Sequence, residues 1–155
     1  MYSGIRELDH HSSFVSLATP WKLHDGNVEH LAWQLESILG AMSQLLVRGF
    51  PHMRRIPVDS LLSIPVRVIG LNLDRSKLNT PQQYLVSSLH SMLCCSTLTM
   101  TIALIRTLRD QLLPEAGTIN SLILSGLAQT REKRVKVSLY KFMSVWLECA
   151  GAGLS

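Results

Sequence analysis

Between residues 28 and 46 the apolar side chains recur at spacings of three and four, which confines this stretch to one kind of element. Val28, Leu31, Ala32, Leu35, Ile38, Leu39, Met42, Leu45 and Leu46 make up the series. That period lines one face of an α-helix and fits no strand, where apolar residues alternate. Asn27 stands at the N-cap position, with Glu29 in the first turn where the helix dipole favours an acid. Gly49 and then Pro51 supply the stop. Each aliphatic side chain gains about 1.5–3 kcal/mol when fully buried. The stripe is therefore expected to pack on something.

The same rhythm continues downstream. Pro57 suits the first position of a second helix carrying Val58, Leu61, Leu62, Ile64, Val66, Val68 and Ile69, and Pro65 is expected to kink or divide it. Gly70 and the polar run that follows mark a break. A third helix is expected from Pro81, with Tyr84, Leu85, Leu89 and Leu93 inside it. A fourth, after Cys94-Cys95-Ser96-Thr97, is expected from Leu98 to Leu113, with Pro114 ending it. Thr118 is a candidate N-cap for Ile119 to Leu127. A last helix is expected from Glu132 to Ala150 with Val135, Val137, Leu139, Tyr140, Phe142, Met143, Trp146 and Leu147. No strand alternation, Asn-Gly hairpin or βαβ rhythm interrupts the series. Five or six helices joined by short turns predict an all-α fold, a fragment of a HEAT- or armadillo-like helical repeat (an α-solenoid). The expected organisation is an irregular arm over 1–26, a helical-repeat segment over 27–152 that belongs to a longer array, and a truncated end over 153–155.

Composition narrows the function. Hydrophobic residues form 46% of the 155 and charged residues only 17%, so much apolar surface has to be covered by neighbours or partners. The net charge of +4 is too small to imply nucleic-acid binding by itself. Three cysteines, Cys94, Cys95 and Cys149, give no disulfide framework and fit a reducing compartment. The first residues carry acids and histidines where a signal peptide has its apolar core. From Leu78 to Ile105 there is no Asp, Glu, Lys or Arg, a stretch long enough to cross a bilayer. Its many Ser, Thr, Asn and Gln residues favour two buried repeat helices over a membrane span.

Catalytic and metal-binding signatures are absent. The chain has no phosphate-binding glycine loop, no nucleophile elbow and no H-E-x-x-H. Cys94–Cys95 is not CxxC, and His10–His11 are two histidines where a metal site would need more ligands, so they are expected to be solvated polar residues. Glu36, Asp59, Asp74 and Asp110 stand singly on separate elements, so no carboxylate pair is indicated. The expectation is a protein without catalytic activity, cofactor or metal. Two basic clusters are candidate contacts for a partner or for RNA. One comprises Arg48, Arg54 and Arg55, with His52. The other comprises Arg131, Lys133, Arg134 and Lys136, with Lys141 beyond.

The C-terminal segment KRVKVSLYKFMSVWLECAGAG has a basic-valine start, Tyr140 after a valine, then Trp146, Cys149 and a small-residue end. Upstream lie IPVDSLLSIPVRVIGLNLDRSKLN and a leucine-rich stretch ending at Leu112-Leu113-Pro114. In this order, over residues 28–152, the chain resembles the PELP family, the proline-, glutamic-acid- and leucine-rich proteins related to the Rix-type pre-ribosome factor. It departs from the family in lacking the acidic, proline-rich tail and true L-x-x-L-L boxes. The near misses are Met42 to Leu46 and Val58 to Leu62. The resemblance implies a non-catalytic scaffold of the nucleus, in nucleolus and nucleoplasm, that serves large-subunit maturation and rRNA processing. It also implies a role in transcriptional coregulation. The implied partners are WD-repeat and helical-repeat subunits of a pre-ribosomal complex and an AAA-type ATPase, with RNA contact indirect and no membrane. A generic HEAT-like adaptor for transport or signalling is the alternative, and a membrane protein using residues 78–105 the next.

Overall fold

The computed structural model describes residues 25–48, 56–71 and 80–152, apart from the side chains of residues 25, 26, 110 and 152. All regular structure among them is helical. In chain order the elements are α1 (Asp25–Arg48), α2 (Val58–Gly70), α3 (Pro81–Leu108), a 3-10 segment (Arg109–Glu115), α4 (Ala116–Gln129) and α5 (Lys133–Ala152). The arm before residue 25, Gly49 to Arg55 and the polar run after Leu71 lie outside the described residues.

Several boundaries differ from the sequence expectation, and Pro114, expected to end a helix at Leu113, lies inside the 3-10 segment that follows α3. Helix α1 begins at Asp25, two residues ahead of the proposed Asn27 cap. The third and fourth expected helices are one, since α3 runs unbroken through Cys94-Cys95-Ser96-Thr97. Ser and Thr weaken a helix when their hydroxyls compete for the backbone, but here those hydroxyls return to the helix itself. Thr97 donates to the Leu93 carbonyl at 2.8 Å and Thr101 to the Thr97 carbonyl at 2.7 Å. The start of α3 is fixed by a reciprocal cap. The Gln83 amide donates to Thr80 Oγ1 at 3.3 Å, and the Thr80 amide donates to Gln83 Oε1 at 3.2 Å, with Pro81 next in the chain.

Pro65 does not divide α2. It sits buried inside the helix with Leu62 and Ile69, so its ring contributes packing in place of the amide bond it removes. Thr118 is not a cap either. Helix α4 begins two residues before it, and its hydroxyl donates to Glu115 at 3.2 Å.

Helix α3 is the centre of the molecule, packed by α1, α2 and α5. Helices α1 and α3 run in the same direction. Ser96 donates to Glu36 near the middle of α1, and Thr107 donates to the Leu46 carbonyl near its end. Helix α5 lies on the other side of α3 and starts where Glu132 accepts a hydrogen bond from Ser91. Helix α4 turns back along α5, pairing Asn120 with Trp146 and Gly126 with Leu139, and α2 packs on both α3 and α4. A row of α1, α3 and α5 is thus backed by α2 and α4. The core between them holds Leu98, Met100, Leu104, Ile105, Leu112, Ile119, Leu139 and Phe142, all fully buried.

Helix α3 is long and apolar enough to cross a membrane by length and composition, and half of its most apolar window is buried within the molecule. Its hydroxyl residues Ser87, Ser91, Thr97 and Thr101 are buried within the molecule. No buried side-chain nitrogen or oxygen among the described residues lacks a hydrogen-bond partner.

Candidate interaction surfaces

The outer helices of the row, α1 and α5, each carry a surface that is open to partners. On α1 only Ala32, Leu39 and Leu46 of the sequence stripe are buried, at intervals of seven that keep them against α3. Leu31, Leu35, Ile38 and Leu45, from the same stripe, remain exposed beside them. The stripe is wider than one neighbouring helix covers, so the expectation that all of it packs holds only in part.

Helix α5 presents a second surface of different chemistry. Its inner side buries Val135, Leu139, Phe142, Val145 and Trp146. Helical periodicity places Lys133, Val137, Tyr140, Ser144 and Leu147 on one outward strip. Arg134 and Lys141 follow one side of that strip, with Glu148 beyond them, and Lys136 follows the other. The first turn of α5 contains no acid, so Lys133 and Arg134 stand at the positive end of the helix dipole. Glu132, the only acid between residues 131 and 141, turns to the Ser91 hydroxyl on α3. Where α3 and α5 meet, Cys95, Lys133, Arg134, Val137 and Ser138 line a shallow open groove.

The two sequence clusters of basic residues have separate fates. Arg48 is exposed at the end of α1, while Arg54 and Arg55 fall outside the described residues. Arg131, Lys133 and Arg134 are exposed at the start of α5 and Lys141 further along it, and Lys136 is half-buried among them. The charges are plain in the sequence, which puts Val137, Tyr140 and Leu147 on the last helix without separating them from its buried residues, and Tyr140 also in the family-like pattern. Their strip spacing against the inner series Val135, Leu139 and Phe142 was the available signal.

The thiols divide as well. Cys94 is buried and its pKa is pushed up to about 12, first by desolvation and then by the charges of Cys95 and Glu132. Such a thiol stays protonated and unreactive at neutral pH. His90 Nε2 donates to the Val68 carbonyl at 2.8 Å, tying α3 to α2, with Cys94 Sγ at 3.5 Å from the same nitrogen. This histidine is a packing tether. Among the described residues no three His, Cys, Asp or Glu side chains are grouped to hold a metal ion. No family model, curated protein or solved structure matches the chain.

Proposed function

We propose that this chain is a scaffold segment of the PELP type, acting in the nucleus and nucleolus in large-subunit maturation and rRNA processing. In this reading it has no catalytic role of its own. It holds protein subunits of a pre-ribosomal complex, including WD-repeat and helical-repeat proteins, and works beside an AAA-type ATPase. The observation that carries the reading is α5, the element with the family-like residues. Trp146 is buried there and its Nε1 donates to Asn120 Oδ1 on α4 at 3.0 Å, closing the α4–α5 hairpin. Tyr140, the other aromatic of the pattern, faces outward, where a scaffold needs a contact surface.

A helical-repeat arrangement belongs to the same proposal. It is supported by three helices side by side, backed by two that pack against each other. The outward apolar stripe of α1 suits the edge of such a stack. Depletion of the protein from its own cells is the test. Precursors of the large-subunit rRNA should accumulate. Unchanged precursor levels would favour the alternative, a HEAT-like adaptor for transport or signalling.

A further inference from the structure

We propose that the outer strip of α5 is a docking site for an acidic amphipathic helix of a partner protein. The proposal deepens the scaffold reading by giving one partner its chemistry. Its test is a binding measurement on the isolated chain, so its failure is distinct from a failure to affect rRNA.

The strip combines two features that separately mean little. Val137, Tyr140 and Leu147 are 46%, 54% and 60% exposed, and they fall on one line at helical spacing. Isolated apolar residues on a surface are ordinary, but an aligned set on a helix that already buries its opposite side offers a ridge for a second helix. Around this ridge, residues 131–141 hold five cations and one acid. That acid, Glu132, is directed to Ser91. The remaining acid near the strip, Glu148, lies toward its far end and accepts from Ser144 at 3.4 Å. The positive end of the α5 dipole adds to the same field.

The local charge is also unfavourable for the helix itself. Cations in the first turn oppose the dipole and cost stability. Acidic side chains from outside would relieve both the dipole and the mutual repulsion of Lys133, Arg134 and Lys136. The occupant that fits is a helix with apolar residues at every third and fourth position and Glu or Asp beside them, its acids over the start of α5. The groove lined by Cys95, Val137 and Ser138 would take one apolar side chain of that helix. RNA fits less well. The ridge has one aromatic for base stacking, and Val137 and Leu147 give phosphates and bases nothing to bind.

Fluorescence anisotropy with the full chain tests the proposal. The probe is a fluorescein-labelled peptide of about five helical turns, leucine on one face and glutamate beside it. Controls are the same peptide with Glu replaced by Gln and a labelled uridine-rich RNA. The glutamate peptide should bind at least about tenfold more tightly than the glutamine peptide, and added salt should weaken it. Lys133→Glu with Arg134→Glu should weaken it by at least about tenfold. The same pair places acids at the helix N-terminus, so thermal stability should hold or rise, which separates lost binding from lost folding. Tyr140→Ser, at an exposed position, should also weaken binding with circular dichroism unchanged. Equal binding of the two peptides, no effect of the charge reversals, or tighter binding of the RNA than of the glutamate peptide would overturn the proposal.

Discussion

Cys94 and Cys95 are neighbours in the chain with different environments, one buried and one half-buried. Cys94 is buried with its thiol pushed up to about 12, and Cys95 borders the open groove beside α5. Brief treatment of the native protein with iodoacetamide at mild alkaline pH should modify Cys95 and spare Cys94, as peptide mass spectrometry would show. The Cys94 shift also has a sign for stability. The folded state holds this proton more tightly than the unfolded state, whose reference value is 9.0. Its contribution is therefore complete below about pH 9 and is lost as pH rises toward 12. Cys94→Ala should flatten the fall in melting temperature across that window. At Trp146, a substitution to Ala removes a 3% exposed indole and should cost about 3–5 kcal/mol in denaturant titration. Its burial could be anticipated from its place beside Phe142 and Val145 in the α5 series. The φ of 43° at Arg109, where α3 meets the 3-10 segment, could not, because no glycine marks the turn. Arg109→Gly should relieve that backbone and stabilise by up to about 1 kcal/mol.

At the scale of the element, periodicity read the helices well and their interruptions badly. The apolar series placed α1, α2, α4 and α5 within a few residues. It divided α3 in two because Ser96 and Thr97 resemble a break, and local sequence does not show that Thr97 will bond back to Leu93. Nor did it show that α1 would leave Leu31 and Ile38 uncovered, since that depends on how many neighbours the fold brings to it. Glycines in α4 separate packing from propensity. A Cβ on Gly126 would lie 3.0 Å from Leu139 Cδ2 and 3.4 Å from Ile69 Cγ2, whereas one on Gly117 would meet nothing within 4 Å. Gly117→Ala should stabilise α4 by about 0.5–1 kcal/mol. Gly126→Val should instead cost about 1–3 kcal/mol by forcing α4 away from α5 and α2. Thermal unfolding of the two variants would show shifts of opposite sign.

For the whole molecule, the sequence made the all-helical class legible because no segment offered a strand pattern, and the described residues contain none. The basic cluster of the candidate surface was also legible. Its apolar ridge was legible only as a second apolar line beside Val135, Leu139 and Phe142, because the sequence does not fix which of the two lines faces inward. The apolar length of α3 invites a membrane reading, yet α1, α2 and α5 already pack on it. Carbonate extraction of cell membranes should accordingly release the protein. Sedimentation of the tagged protein through a sucrose gradient from nuclear extract tests the scaffold claim most directly. The protein should travel with particles of large-subunit precursor size, and RNase treatment should shift it out of them. Recovery only in light fractions free of pre-ribosomal proteins would contradict it.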